Sequence, residues 1–267
     1  MDQLFLIQLI TSFIVGGAFI AILSLIAEKA NSKLAGIIIS LPTTIALGFF
    51  FTGWAVSPEA VAEKVVVIPA MEGVMMIFTA VYLYLSKTKI PKLYSMLLCV
   101  VGSLLVWGGL TSIIAFLELD NLLVSMIIYL ALTIPVYYLV TFKPHVSSNM
   151  KPLKYNVSEK IVRVIFGGLI ITVVTFLSKT LGPFWGIMFS AFPAVFLSTL
   201  TIVYKNYDSN YLFKVWKNTP LASVIFVAYG FAAMYAFPAF GIWVGTLVCY
   251  LVSLVVALLI SKVPVPN

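Results

Sequence analysis

Nine apolar stretches of membrane-spanning length run through this chain, near residues 3–27, 33–55, 65–85, 93–117, 121–142, 161–178, 183–204, 219–237 and 239–261. A helix needs about 20 apolar residues to cross the hydrocarbon layer. Only helices and closed barrels satisfy every backbone group in lipid, and the alternating strand pattern of a barrel is absent. With 62% hydrophobic and 9% charged residues, no water-soluble core could bury so much apolar surface. The expectation is an all-α integral membrane protein with nine transmembrane helices. The first span is not expected to be a secretory signal: Met1-Asp2-Gln3 carries no basic residue and the apolar run is too long.

Charge fixes the expected orientation. Assigning the loops alternately to two faces puts Lys29, Lys33, Lys87, Lys89, Lys92, Lys143, Lys151, Lys154, Lys160, Arg163, Lys205, Lys214, Lys217 and Lys262 on the face that holds the C-terminus. Only Lys64 and Lys179 fall on the other. Cytoplasmic loops carry the excess of Lys and Arg, so the protein is expected to be a multi-pass cell-membrane protein with its N-terminus external and its C-terminus cytoplasmic. The formal charge of +7 then belongs to one membrane face and implies no nucleic-acid partner. Trp54, Trp185 and Trp243 fall near the external boundary, and Tyr94 and Tyr204 near the cytoplasmic one, as interface anchors do. The longest loop, 143–160, with Pro144, His145 and Pro152, reads as a linker.

Shifted by 150 or 151 residues, the chain resembles itself. Gly16-Gly17 falls on Gly167-Gly168, and Gly36-Ile37-x-x-Ser40 on Gly186-Ile187-x-x-Ser190. Pro42 falls on Pro193, Pro69 on Pro220, Tyr84 on Tyr235, and Cys99-x-x-x-Ser103-Leu104 on Cys249-x-x-x-Ser253-Leu254. Five crossings precede the second copy, so it enters the membrane from the opposite face. The organisation expected is two inverted four-helix repeats, 1–118 and 159–267, joined by a linker helix and cytoplasmic loop at 119–158. Inverted repeats recur in secondary transporters, where two similar halves open a central site to each side in turn. A duplicated scaffold with no transport role is the plainer reading of the same symmetry.

Pro42 and Pro193 lie about halfway along spans 2 and 7. A proline within a helix removes one hydrogen bond and frees a carbonyl. Ser40, Thr43 and Thr44 surround the first and Ser190 precedes the second, so freed carbonyls and hydroxyls gather at mid-depth, once per repeat. Kinks alone would also explain the prolines. Gly36-x-x-x-Ser40, Gly186-x-x-x-Ser190 and Gly241-x-x-x-Gly245 read as close helix packing rather than ligand contact. Glu72 is the acidic residue well inside a span. Burying a charged carboxylate costs several kcal/mol, about 3 on insertion scales, so it must be neutralised, hydrated or paired with a cation. Such a group could couple solute movement to protons or another cation. Its aligned position is Ser223, so the two halves differ there. Glu28 and Lys179, also aligned, read as interfacial caps or a gate pair. Cys99 and Cys249 read as packing residues rather than a disulfide.

Leu177-Ser178-Lys179 through Gly186-Ile187-Met188-Phe189-Ser190-Ala191-Phe192-Pro193 resembles the first helical hairpin of the small GlpM-type membrane proteins, and Ala35-Gly36 through Pro42-Thr43 is similar to it too. The resemblance covers one repeat at a time. It implies a four-span ancestor, duplicated and fused through span 5, and supplies neither substrate nor catalytic residues. The plan is also similar, by architecture alone, to the drug/metabolite transporters.

The function expected is a secondary transporter that moves a small neutral, zwitterionic or cationic solute by alternating access. Its site would lie between spans 2, 3, 7 and 8, with Ser40, Pro42, Thr43, Thr44, Ser190 and Pro193 on the substrate and Glu72 coupling to a proton or cation. The alternatives are a channel or lipid-translocating pathway, or a non-transporting membrane scaffold. No acid, base and nucleophile share a depth, so an enzyme is not expected, and no cofactor or metal motif is present. The partners expected are the lipid bilayer and a small-molecule or ion substrate, with a homo-oligomer left open.

Overall fold

The computed structural model describes residues 3–29, 41–142 and 156–263. Among them every regular element is helical and none is a strand. In chain order these are α1 (Gln3–Lys29), α2 (Thr43–Ala55), α3 (Pro58–Lys64), a 3₁₀ turn (Val65–Val67), α4 (Ile68–Leu85), α5 (Lys92–Phe116) and α6 (Leu122–Tyr137), which runs into a π-turn (Tyr138–Phe142). The second half has α7 (Val157–Thr180), α8 (Pro183–Ser190), α9 (Ala194–Asn206), α10 (Ser209–Trp216) and α11 (Thr219–Ile260). Seven helical stretches are long and apolar enough to cross a membrane, and the shorter α2 is apolar as well.

The molecule is apolar outside as well as inside. α4 is almost wholly buried. The outer helices present large side chains to the surroundings, among them Leu105, Phe116, Leu123, Leu169, Trp243 and Leu251. That distribution suits lipid, where a helix needs no polar face. The core holds Phe49, Met71, Phe78, Tyr82, Tyr229 and Phe237, all essentially inaccessible. α6 packs along α4, where the Ser125 hydroxyl accepts from the Ala70 N–H at 2.9 Å and Gly73 lets the Tyr129 backbone approach.

The 42-residue α11 is not one straight rod. At Gly241, φ 70° and ψ −178° interrupt it just after Pro238. Beyond the break the chain doubles back: Gly245 lies against the Ala236 carbonyl and Phe237, the Tyr229 and Tyr250 rings meet at 5.5 Å, and the Ser253 hydroxyl reaches the Ile225 carbonyl at 3.4 Å. The expected Gly241-x-x-x-Gly245 packing motif therefore divides into two roles. Gly241 turns the chain in a backbone region that side chains other than glycine's rarely adopt, and Gly245 makes the close contact. Gly241→Ala is expected to lower stability by about 1–3 kcal/mol, read as a lower thermal midpoint of the purified protein.

Two expectations are corrected. Span 7 is not one kinked helix: α8 stops at Ser190 and α9 starts immediately after Pro193, and α2 likewise starts immediately after Pro42. The segments after spans 2 and 7 hold the short helices α3 and α10. Ser57 and Asp208 cap these, accepting from the Ala60 and Tyr211 N–H groups, as side-chain oxygens at helix starts do. Span 6 begins earlier than 161, at Val157, on a capping box formed by Asn156 and Glu159. Ser40, Gly36 and most of the 143–160 loop lie outside the described residues, as does the Glu28 side chain.

Candidate functional site

α1 and α7 cross through their glycine pairs. Gly17 meets Val164, and Gly168 meets Phe13; Gly16 meets Ile171, and Gly167 meets Ile20. Phe5 stacks on Phe176 at 6.3 Å and Ser12 reaches Thr172 at 3.5 Å, so the two helices run antiparallel. Each contact pair recurs with its members exchanged, 151 residues on. Glycine matters here because any side chain would hold the backbones apart.

α2 and α9 lie beside this crossing. Both have 13 residues and both follow a proline with nearly the same backbone, φ −78° and ψ 60° at Pro42 and φ −73° and ψ 39° at Pro193. Each proline is the centre of a tight turn, Thr43 N–H to Leu41 O at 2.8 Å and Ala194 N–H to Phe192 O at 2.7 Å. The next helical bonds also match, Ala46 N–H to Pro42 O and Leu197 N–H to Pro193 O. Between these bonds the N–H groups of Thr44, Ile45, Val195 and Phe196 have no hydrogen-bond acceptor among the described residues. Neither helix has a side-chain cap, so the orphan donors of a helix start stay open at both.

The far ends are anchored. Lys179 donates to the Ala55 carbonyl at 3.2 Å and Gln8 to the Trp54 carbonyl at 2.9 Å, while Thr52 and Ser178 share a hydrogen bond at 2.7 Å. At the end of α9, Lys92 donates to the Tyr207 carbonyl at 2.8 Å, and the Tyr204 hydroxyl bonds Ser95 and the Ser86 carbonyl, each at 2.8 Å. Each half-helix thus ends on a lysine, which suits the negative end of its dipole. Lys179, read from sequence as an interfacial cap or gate pair, caps a helix.

The helix starts meet at a partly open pocket spanning about 380 Å³ of space not filled by atoms, open surroundings included. Leu41, Thr43, Thr44 and Ile45 line it from one break, Ser190 through Pro193, Val195 and Phe196 from the other. Glu72 and Met75 of α4 and Phe226 of α11 complete the lining among the described residues. Corresponding positions of the two halves both contribute to the lining: Leu41 and Phe192, Thr44 and Val195, Ile45 and Phe196, Met75 and Phe226. The pocket as it stands has room for about two waters. A smaller crevice beside it shares Val195 and is lined also by Arg163 and Ser198.

Of the residues expected at a site, Thr43, Thr44, Glu72, Ser190 and Pro193 come together here. Pro42 is buried behind Leu41 and Thr43, which reach the pocket instead. Glu72 is 3% exposed and makes no hydrogen bond or ion pair among the described residues. The Thr43 and Thr44 hydroxyls have no partner there either. Ser190 has a double role: its hydroxyl donates to the Ile187 carbonyl at 2.6 Å and its Cβ packs on Gly48. Gly186 lies against Ser178 and Thr52, so the Gly186-x-x-x-Ser190 motif serves packing, as expected.

The sequence reading missed the aromatic wall. Phe196 and Phe226 stand 6.3 Å apart between ring centroids, and Phe192 packs on Phe189 and Trp107. One signal pointed to it: Met75 and Phe226 lie one helical turn after Glu72 and its aligned Ser223. Among the described residues no three His, Cys, Asp or Glu side chains gather to hold a metal. No protein-family model, curated protein or solved structure matches this chain.

Proposed function

We propose that the chain is a secondary transporter built from two inverted four-helix repeats, working by alternating access at the pocket between α2, α4, α9 and α11. The observation that carries this reading is the meeting of two helix starts, each immediately after a proline, at one cavity lined by corresponding positions of both halves and holding a buried carboxylate. Interrupted helices place backbone donors and acceptors at mid-membrane only where they line a cavity or are buried in protein.

The repeat is further supported by the element order. α1, α2, α3, α4 and α5 correspond to α7, α9, α10 and the two arms of α11, at the same offset that relates the sequences. Counting α2 with the residues before it, and α11 as two arms, gives nine crossings with an external N-terminus and a cytoplasmic C-terminus. α6 is then the linker helix between the halves. The duplication would have started from a four-span, GlpM-like ancestor. The solute is small and neutral, zwitterionic or cationic, and Glu72 couples its movement to a proton or another cation.

Accessibility tests alternation. Thr44→Cys and Val195→Cys occupy corresponding positions on the two half-helices. In a background with Cys99 and Cys249 replaced, each is expected to react with a membrane-impermeant thiol reagent from either face, and to shift between faces when a solute gradient is applied. Steady reaction from both faces at once fits a channel or lipid pathway. No reaction from either leaves a non-transporting scaffold.

A further inference from the structure

We propose that the central pocket binds an apolar zwitterion of the amino-acid type, its carboxylate on the two helix starts and its ammonium on Glu72. The assignment deepens the transporter reading and rests on it for movement of the ligand, though not for binding.

Two unmet electrostatic demands of opposite sign face the same small space. The first is anionic: the Thr44, Ile45, Val195 and Phe196 N–H groups have no acceptor among the described residues, and all four residues line the pocket. They stand at the starts of two 13-residue helices, where the dipoles of both add to the attraction for negative charge. The second is cationic: the Glu72 carboxyl is 3% exposed, lines the pocket and is bonded to nothing described. No lysine or arginine lines this pocket among the described residues, and Arg163 lies in the adjoining crevice rather than in it.

A simple anion would satisfy the helix starts and sit against the carboxyl. A simple cation would satisfy Glu72 and face the positive ends of two helix dipoles. A molecule with both charges a few ångströms apart meets both demands at once. The Thr43 and Thr44 hydroxyls add two further groups able to bond either end. The rest of the wall decides the third substituent. Phe192, Phe196, Phe226, Met75, Leu41 and Ile45 offer rings, a thioether and branched carbon, which favour an aliphatic or aromatic side chain over a polar one. The space present is narrow, so binding requires the half-helices to separate, as an alternating site would.

The test uses the full-length protein in detergent and three probes of one shape: L-leucine, 3-methylbutylamine, which lacks the carboxylate, and 4-methylpentanoate, which lacks the amine. Calorimetry is expected to give leucine an affinity at least about tenfold above either analogue, since each loses one charge-assisted contact. Equal binding of the amine overturns the proposal in favour of a cation site. Equal binding of the acid overturns it in favour of an anion site with Glu72 neutral. Binding of none of the three also overturns it. Glu72→Gln is expected to weaken leucine about tenfold or more while leaving 4-methylpentanoate unchanged. If that variant fails to fold, the comparison of probes on the unaltered protein still decides. Leucine that binds in detergent but never crosses in proteoliposomes supports this site and counts against the transporter reading. Two-faced labelling of Thr44→Cys without leucine binding does the reverse.

Discussion

Glu72→Gln is expected to leave the protein folded and to reduce solute movement in proteoliposomes by at least about tenfold, with loss of its dependence on a pH gradient. Glutamine has nearly the same volume, so the contacts of α4 with its neighbours survive. What changes is chemistry: the amide neither exchanges a proton nor carries charge. Glu72 shares its pocket with Met75, Phe226, Phe196 and the two helix starts. A charge-assisted hydrogen bond there is worth about 1.5–3 kcal/mol, a factor of roughly ten to a hundred in binding. The measurement is uptake with and without an imposed gradient, alongside size-exclusion profiles to certify folding. Gradient-dependent uptake that survives in the variant would remove Glu72 from the coupling step. Ser223→Ala is the matched control. Ser223 occupies the corresponding place on α11, but it bonds Tyr129 at 2.7 Å and does not line the pocket. Its loss should cost stability and leave coupling alone.

The all-helical class was legible in the sequence because apolar runs of this length have few folded solutions other than a helix. A long apolar run has to be helical, and the offset of 150 or 151 residues already aligned Gly16-Gly17 with Gly167-Gly168 and Pro42 with Pro193. Part of the pocket lining was legible for a related reason: Glu72 and Pro193 stand out against Leu, Ile and Val in an apolar chain. Three features were not legible. A new helix begins after each proline, because a tight turn there satisfies one N–H; a lone proline in an apolar run carries no sign of that choice. α3 and α10 were hidden because seven or eight residues are too few for periodicity to speak. The aromatic wall was hidden because a phenylalanine lining a pocket and one facing lipid look alike in a chain with 20 of them. Only the pairing of Ile45 with Phe196 and of Met75 with Phe226 separates these rings from the rest.

Gly168→Leu is expected to be the most damaging single change outside the pocket. At the α1/α7 crossing even a Cβ on Gly168 would come within 2.7 Å of the Phe13 carbonyl oxygen, and both of the nearest Phe13 ring atoms lie within 3.3 Å of it. A backbone oxygen cannot swing aside as a side chain can, so the helices must separate. Separation breaks the contacts of Gly16 with Ile171 and Gly17 with Val164, and the Ser12–Thr172 approach, all on the same face. Overpacking of this kind costs about 1–3 kcal/mol or more, and the thermal midpoint should fall accordingly. Gly108→Ala supplies the contrast. Nothing lies within 4 Å of a Cβ placed there, on the outer helix α5, so the change should be neutral or stabilising by up to about 1 kcal/mol through helix propensity. If the two halves rock against each other, they pivot where their backbones touch most closely. Gly168→Ala, a smaller insult, should then slow solute movement more than it lowers the thermal midpoint. Loss of stability and rate in equal proportion would make the crossing a fixed strut, with the moving parts confined to α2 and α9.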